Sequence, residues 1–160
     1  MAAKKKKYTG PSEIRNAKAR RDYIVEDILE AGIVLTGTEV KSIRGGNVQL
    51  SDGFCRFSNV GELFVQGVHI DEYSFGTMNN HIPRRERKLL LKSRELVRLR
   101  RAVEAGGKAI VPLRMYFKES LIKVELGLCV GKKLFDKRDD LKKKAVMRDE
   151  QQSLKEYRFR

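Results

Sequence analysis

The distribution of charge along the chain limits the part of it that can fold into a packed core. Residues 1–22 carry 8 Lys and Arg against 2 acidic residues, residues 84–101 carry 9 against 2, and residues 131–160 carry 11 against 6. These segments contribute +6, +7 and +5 to the net charge of +14, so the other 90 residues sum to −4. The size and sign of the charge bear on partners and solubility and do not specify the type of fold. It predicts a small body whose basic arm, internal stretch and tail bind a long polyanion; a merely solvated basic surface is the alternative.

The flanking segments differ from the body in their apolar content. Residues 23–130 are long enough to bury a hydrophobic core as one domain. Residues 1–22 have few large apolar side chains, so we expect a basic N-terminal arm that is mobile until a partner binds, with order beginning near Tyr23. Residues 131–160 have acids and lysines four apart. They predict a basic tail that is disordered alone and helical against a charged partner, with a merely solubilising tail as the alternative.

The composition also bears on location and cofactors. No apolar run reaches the roughly 18 residues of a membrane span, and no apolar segment follows the lysines at positions 4–7 as it would in a secretory signal. We therefore expect a cytoplasmic protein. Cys55 and Cys129 lie 74 residues apart in apolar runs, which predicts buried, reduced thiols. No metal and no other cofactor is predicted.

Apolar alternation predicts a mainly β body. A bend or bulge is expected at residues 30–32, and Pro112 predicts an edge or bulged strand. The expected strands are 23–25, 33–35, 48–59, 63–70, 109–118 and 121–130. The expected core residues of the two middle strands are Phe54, Phe57, Leu63, Val65, Val68 and Ile70.

Two short helices and one long loop complete the predicted body. Thr36 and Glu39 have the spacing of a capping box, for a helix that ends at Gly45. Ser93 can cap a second helix, which ends at Gly106. Residues 71–87 lack periodicity, and irregular loops of that length are typical of a functional segment. The predicted fold is mainly β with short α-helices: a small, partly open antiparallel β-barrel of the oligonucleotide-binding type, with flanking helices and a disordered basic tail.

Catalytic motifs are not found in the sequence. His69 lies inside a strand pattern, and His81 precedes Pro83 and the basic stretch, where phosphate contact or loop structure is expected. Glu30 and Glu39 are a formal carboxylate pair, yet no other residue defines a reacting centre. No phosphate-binding glycine loop or nucleophile elbow occurs. We therefore expect that the protein is not an enzyme.

Nucleic-acid binding accounts better for these residues. Lys and Arg neutralise phosphates, which alone gives nonspecific affinities of roughly 10⁻⁴–10⁻⁶ M. Structured RNA is further recognised by shape, 2′-hydroxyls and unstacked bases. Glu30 beside the basic arm and Asn16 among the Lys and Arg residues of the arm are suited to hydrogen bonds with such groups.

Several motifs point to one family. The block Gly-Thr-Glu-Val-Lys-Ser-Ile-Arg occupies residues 37–44, and Gly-Lys-Lys at 131–133 is followed by Asp-Lys-Arg at 136–138. Further matching segments are 16–23, 30–35, 80–83, 87–91, 111–113 and 116–118. Together they closely resemble the small protein B family, the bacterial partners of transfer-messenger RNA (tmRNA), over about residues 14–148.

The resemblance implies an RNA-binding adaptor of trans-translation, the rescue of ribosomes stalled on messages without a stop codon. A barrel-like body would bind the tRNA-like domain of tmRNA. The tail would enter the empty decoding site and mRNA channel of the small ribosomal subunit and become helical there. The implied partners are tmRNA, the ribosome, and elongation factor Tu with alanyl-tmRNA. The chain would be a monomer that binds neither DNA nor membranes and has no enzymatic activity.

The resemblance also implies roles for individual residues. Those expected to contact or support RNA are Asn16, Lys18, Arg20, Arg21, Glu30, Lys41 and Leu90. Those expected at the decoding centre are Gly131, Lys132, Lys133, Phe135, Asp136, Lys137 and Arg138. Phe135 stands where the family usually has a stacking Tyr or His, and Arg21 stands where a His is frequent.

Two other functions fit parts of the sequence. A ribosomal or assembly protein also needs basic arms and a small core, but it does not need Asp136-Lys-Arg138 at a fixed distance after the barrel. A nuclease or RNA-modifying enzyme would need a catalytic constellation that these residues do not supply.

Overall fold

The computed structural model describes the backbone of residues 13–158 and the side chains of residues 13–155. The strands are β1 Glu13–Arg15, β2 Tyr23–Ile33, β3 Val48–Gln49, β4 Phe54–Phe57, β5 Leu63–Gln66, β6 His69–Ile70, β7 Arg87–Leu90, β8 Lys108–Lys118 and β9 Leu121–Gly131. The helices are α1 Ala17–Asp22, α2 Gly37–Arg44, α3 Ser93–Glu104 and α4 Leu134–Arg158.

The main sheet is antiparallel and closes on itself. Its strand order is β1-β8-β4-β5-β7-β2-β9, and β9 pairs again with β8, so six strands form a ring and β1 extends it beside β8. Strands β4 and β8 are paired through one residue pair only, Cys55 with Ile110. This is the shortest strand pairing in the ring. Closure of a sheet removes exposed strand edges. The predicted fold class, mainly β with flanking short helices, is confirmed; where a partly open antiparallel barrel was expected, the sheet forms a ring.

The core fills this ring with the side chains that alternate inward. Leu63 and Val65 of β5 and Val124 and Leu126 of β9 are almost completely buried, as period-2 alternation requires. Leu99 of α3 is buried in the same cluster. Four of the six predicted core residues are buried, and Phe57 packs against the cluster.

Phe54 does not belong to this core. Its side chain is 46% exposed, whereas Cys55 and Phe57, its neighbours on β4, face inward. Residues 54 and 57 are three apart, and in a strand such residues point to opposite faces. The prediction that both are core residues was therefore wrong for Phe54.

Strand β2 is longer than the sequence indicated. The expected bend at residues 30–32 is absent, because β2 pairs with β9 without interruption from Asp27 to Gly32. The irregularity lies instead between Val25 and Asp27. A second shift in register, between Pro112 and Arg114, confirms the predicted bulge in β8.

Part of the predicted arm is ordered. Residues 1–12 lie outside the described residues. Residues 13–15 pair with β8, with Ile14 opposite Met115, and α1 follows directly. Order therefore begins at least ten residues before Tyr23, because a few specific contacts with β8 stabilise a segment that is poor in large apolar residues.

The two predicted helices are confirmed, with one change in capping. Helix α2 begins after Thr36, whose amide donates to the Glu39 carboxylate at 2.8 Å. Helix α3 begins at Ser93, but Lys92 rather than Ser93 is its N-cap. The Lys92 amide donates to the Glu95 carboxylate at 2.9 Å, so an acidic side chain of the first turn, and not the Ser93 hydroxyl, accepts from an amide at this end of the helix.

The tail is helical in the structure. Helix α4 covers Leu134–Arg158, which is the conformation expected for the bound state; disorder in the free protein stays a prediction. Over the described part of the chain, no helix combines the length and apolarity needed to cross a membrane.

Candidate nucleic-acid interface

Glu30 lies on the outer face of β2 and is held by side chains from β8. The Tyr116 hydroxyl donates a hydrogen bond to its carboxylate, and the Lys118 ammonium lies 3.0 Å away. These two hydrogen bonds, and then the charge of nearby Lys123, hold the pKa of Glu30 below its usual value. Burial and the bond to Glu30 raise the pKa of Tyr116 to about 12. Because Glu30 remains exposed, its oxygens can still accept from an RNA hydroxyl or amino group.

Leu90 is an exposed apolar residue of the neighbouring strand β7. Residues Gly32 and Leu90 are paired across β2 and β7, and a Cβ built at Gly32 would be 3.2 Å from the Leu90 Cβ. The side chain of Leu90 is 52% exposed, so it is not a core residue. Glu30 and Leu90 thus form a surface with one acceptor and one apolar contact.

Asn16 is an interior residue that positions α1. It is 4% exposed, and its Oδ1 caps α1 by accepting from the Ala19 amide at 3.0 Å. Its Nδ2 donates to the carbonyls of Leu50 and Pro112, both at 2.9 Å. The amide group is thus hydrogen-bonded within the chain through both its oxygen and its nitrogen, and Asn16 holds α1 in place from the interior.

Helix α1 packs on the outside of the sheet and directs its cations to solvent. Ala19 is buried in a small cluster with Val111, Leu113 and Cys129. On the opposite side Lys18, Arg20 and Arg21 are exposed. Lys18 lies 3.1 Å from Asp52, and Arg21 lies 3.3 Å from Asp22. Exposed pairs of this kind contribute little to stability, so the cations can exchange these partners for phosphates.

A cleft next to α1 contains two aromatic residues. Lys18 and Asn16 line one side, and Tyr23 and Phe54 contribute rings. An exposed aromatic ring beside a cation suits the stacking of a nucleobase. Sequence reasoning missed Phe54 as a surface residue, although strict alternation along β4 would have placed it outside. It also missed Tyr116, Lys118 and Lys123, whose proximity to Glu30 depends on strand register.

Lys41 lies on the exposed side of α2. Its ammonium is 5.0 Å from the centroid of the Tyr73 ring, within the range of a cation–π contact. Tyr73 belongs to the long loop, whose Asn80 donates to the Tyr73 carbonyl at 2.9 Å and accepts from the Tyr73 amide at 3.1 Å. Lys41 is accordingly a second basic position, held against the loop.

The basic stretch at residues 84–101 divides into an internal and an external part. Arg87 and Glu39 are completely buried, and Arg87 Nε lies 2.8 Å from Glu39 Oε1. Arg85 donates to both oxygens of Glu39, at 2.7 and 2.6 Å. Burial opposes ionisation of Glu39, but the bonds from Arg85 and the Thr36 amide, with the charge of Arg87, lower its pKa to about 2. These two arginines stabilise the fold and are not free to bind phosphate.

His81 also has a structural role. Its Nδ1 is 2.9 Å from the Thr38 hydroxyl and its Nε2 is 3.1 Å from the Ile70 carbonyl, and the residue is buried. Of the two roles expected from the sequence, loop structure is therefore the one that the contacts support. The long loop serves to hold α2 against β6.

The external part of the basic stretch lies on α3. Leu99 is buried, while Arg94, Arg98 and Arg101 are exposed on the other side, as their spacing predicted. Arg98 forms a salt bridge with Asp27 of β2. This helix presents a basic face whose charge is only partly neutralised.

The predicted tail residues separate into two groups. Gly131 ends β9, and Lys132 and Lys137 point back to α1 with side chains that are 16% and 32% exposed. Asp136 lies in the first turn of α4, where an acid is favourable. Lys133 and Arg138 are exposed, and Phe135 is 61% exposed.

The thiols and acids of the described residues do not form a chemical centre. Burial raises the pKa of both cysteines, that of Cys129 to about 11, so both are predominantly protonated at neutral pH. Within residues 13–158, no three His, Cys, Asp or Glu side chains are grouped to hold a metal ion.

Comparisons with known proteins agree on one family. A family model described as SmpB protein matches residues 13–156. The SsrA-binding protein of Geotalea uraniireducens is 51% identical over 141 residues, covering 88% of this chain and 93% of the relative. The SsrA-binding protein of Thermobifida fusca is 47% identical and covers 99% of this chain and 100% of the relative. A solved structure described as "tmRNA-SmpB: a journey to the center of the bacterial ribosome" is 47% identical, with a TM-score of 0.65, and covers 85% of this chain and 95% of that one.

Proposed function

This chain belongs to the SmpB protein family, and we propose that it binds SsrA RNA (tmRNA) as an adaptor of trans-translation. The observation that carries the proposal is its similarity, over most of its length, to proteins named for binding SsrA RNA. The similar chain described with tmRNA and the bacterial ribosome supports the ribosome as second partner. These relatives are named for RNA binding and not for an enzymatic activity, which agrees with the absence of catalytic motifs in the sequence.

We assign RNA binding to the outer surface formed by α1 and β2. Lys18, Arg20 and Arg21 supply exposed charge for phosphates. Glu30, held by Tyr116 and Lys118, supplies an acceptor for 2′-hydroxyls or base amino groups. In this proposal the cations give most of the affinity, and the acceptor favours one RNA over others of equal charge.

The other residues expected at the RNA have separate roles in this proposal. Asn16 orients α1 from the interior, so it supports binding without a direct contact of its amide. Leu90 offers an exposed apolar contact beside Gly32, suitable for the face of a base or sugar. Lys41 adds a phosphate contact on α2.

The tail is assigned to the ribosome. We propose that α4 occupies the empty decoding site and the mRNA channel, with Lys133, Phe135 and Arg138 making contacts to ribosomal RNA. All three are exposed, and Phe135 can stack on a base. Delivery of alanyl-tmRNA with elongation factor Tu, by a monomer of this chain, completes the proposal.

A gel-shift titration with the isolated tRNA-like domain of tmRNA, against an ordinary tRNA competitor at two salt concentrations, tests this function. We expect binding that resists the competitor and exceeds the salt-sensitive nonspecific affinity. Glu30→Gln should weaken it roughly tenfold, since a charged hydrogen-bond acceptor is lost. Glu72→Gln, which changes an exposed carboxylate of the long loop, is the matched control and should bind as the unaltered protein does.

Two outcomes of this titration would contradict the proposal. Equal affinity for both RNAs that collapses together as salt rises would mean a general basic RNA binder. A rise in affinity on Glu30→Gln would mean that the acid only opposes the polyanion, and the assigned role of Glu30 would be wrong.

A further inference from the structure

The ring of strands has its fewest backbone pairs where β4 meets β8. Strand β9 occupies one edge of β8 along its length, so β1 and β4 share the other edge. On that edge β1 pairs with residues 114–116, and β4 pairs only through Cys55 and Ile110. In the described part of the chain, residues 111–113 have no strand partner on this edge. The ring therefore has a gap in its backbone pairing between β1 and β4.

Asn16 bridges this gap from one side to the other. Its backbone amide donates to the Leu113 carbonyl at 2.8 Å, and its Nδ2 donates to the Pro112 carbonyl at 2.9 Å. The same Nδ2 donates, also at 2.9 Å, to the carbonyl of Leu50, just before the turn that leads into β4. One buried side chain thus supplies hydrogen bonds to both sides of the gap, where the strands themselves supply none.

The chain is closely packed on both sides of this bridge. Gly53 leads into β4, and a Cβ there would lie 2.7 Å from Pro112 Cγ and 3.0 Å from the Leu50 carbonyl oxygen. The turn can therefore approach β8 this closely only because residue 53 has no side chain. Helix α1 covers the gap from outside, where Ala19 is buried in a cluster with Val111.

We propose that Asn16 and Ala19 form a latch that closes the ring, and that RNA bound to α1 keeps the latch closed. Because these two residues hold α1 to both sides of the gap, α1 keeps its position only while the sides stay together. An RNA that binds the cations of α1 in this position favours the closed ring, and closure in turn favours binding, since such coupling is reciprocal. The coupling to RNA rests on the proposed function, whereas closure of the ring by Asn16 does not. Asn16 is accordingly a positioning residue.

Hydrogen–deuterium exchange of the full chain without RNA tests the latch. Asn16→Ser keeps an oxygen that can cap α1 but removes the Nδ2 that reaches both carbonyls. We expect amide exchange in residues 50–57 and 108–113 to become at least about tenfold faster, since local opening is favoured when the hydrogen bonds that oppose it are lost. Residues 123–126 of β9, which are paired on both sides, should exchange as before.

Other variants separate the latch from general effects of substitution. Asn80→Ser is the matched control, because Asn80 also bonds to three backbone groups, all within the long loop; it should leave exchange at the gap unchanged. Gly53→Ala disturbs the gap without altering Asn16, because the new Cβ would meet the Pro112 ring. It should accelerate exchange in the same two segments, whereas Gly37→Ala, with open space around it, should not.

The coupling is measured first on the unaltered protein, with and without the tRNA-like domain of tmRNA. Saturating RNA should slow exchange in residues 108–113 at least about fivefold, although Ile110 and Val111 are buried beneath the surface. In gel shifts, Asn16→Ser and Gly53→Ala should weaken binding at least about fivefold. The slope of affinity against salt should stay the same, since no phosphate contact is lost. Arg20→Ala, which removes an exposed cation, should reduce that slope by about 1.

The latch is refuted by unchanged exchange at residues 50–57 and 108–113 in Asn16→Ser. Faster exchange with RNA affinity within about twofold of the unaltered protein would refute the coupling. A reduced salt slope in Asn16→Ser would make Asn16 a direct RNA contact and overturn its positioning role. A protein that does not prefer the tRNA-like domain over ordinary tRNA would count against the proposed function, and exchange measured without RNA would still decide whether the latch exists.

Discussion

Neutralising Glu39 should be among the most destabilising single changes in this chain. Glu39→Gln keeps the shape of the side chain and removes its charge, which leaves the buried Arg87 guanidinium, 2.8 Å away, without its counter-ion. Removing one partner of a buried ion pair costs about 3–5 kcal/mol. The pKa gives a second estimate: a fall from 4.5 to about 2 corresponds to about 3 kcal/mol of stabilisation. Both indicate that the loss of this charge lowers the free energy of unfolding substantially.

The pH dependence has a definite sign. The folded-state pKa of Glu39 is lowered to about 2, so its stabilisation is fully present above the unfolded value near 4.5. It is lost as the pH falls from there towards 2, because the folded protein must then bind the proton that it resists. The difference in stability between the unaltered protein and Glu39→Gln should therefore shrink over the same interval.

Urea unfolding followed by circular dichroism, at pH 7 and at pH 3, measures both effects. Glu62→Gln is the matched control, because Glu62 pairs with Lys88 at the surface, where both side chains are about 40% exposed, and should cost no more than about 1 kcal/mol. Replacing both buried partners, by Glu39→Leu with Arg87→Met, should recover part of the loss, since no unpaired charge remains. A free energy of unfolding for Glu39→Gln within 1 kcal/mol of the unaltered protein at pH 7 would refute this reasoning.

Three further changes have expected outcomes. Deletion of residues 131–160 should leave affinity for the tRNA-like domain nearly intact and abolish tagging on stalled ribosomes; loss of RNA affinity in the gel shift would place the tail in the RNA site. Gly67→Ala should destabilise by about 2 kcal/mol or more in urea unfolding, because φ is +73° and its Cβ would lie 2.3 Å from the Asp52 carbonyl oxygen. Gly37→Ala, with open space around it, is the control, and equal effects would contradict this. Tyr116→Phe should raise the pKa of Glu30, measured by NMR titration, since a hydrogen bond that lowers it is lost; an unchanged pKa would mean that the bond does not form.

Features that depend on neighbouring residues could be read from the sequence. The capping box of α2 needs only Thr36 and Glu39, three residues apart, and α3 ends before Gly106 and Gly107, both of which have positive φ. The hairpin of β8 and β9 has its turn at Glu119 and Ser120, as predicted. Each depends on backbone conformations and hydrogen bonds within a few positions, so local spacing was sufficient.

The order of residues 13–22 could not be read in this way. Asn16 holds α1 through the carbonyl of Pro112, 96 positions away, and β1 pairs with β8 at a similar separation. The segment itself has little apolar surface, so local composition indicated a mobile arm. Its partners come from the opposite end of the body, and only the closed sheet brings them together.

The same distinction between local and long-range features applies to the candidate site. By itself, the sequence determined that the chain is basic, that its body is mainly β, and which motifs it shares with its family, because these properties belong to composition and short-range spacing. Only the tertiary structure decided which charges are available. Arg85 and Arg87 form ion pairs with Glu39. Lys132 and Lys137 contact residues of α1. Glu30 lies within hydrogen-bond distance of Tyr116 because of the register of their strands. A charged side chain contributes to binding or to the fold according to how far it is buried with its opposite charge, and that burial is set by chain packing.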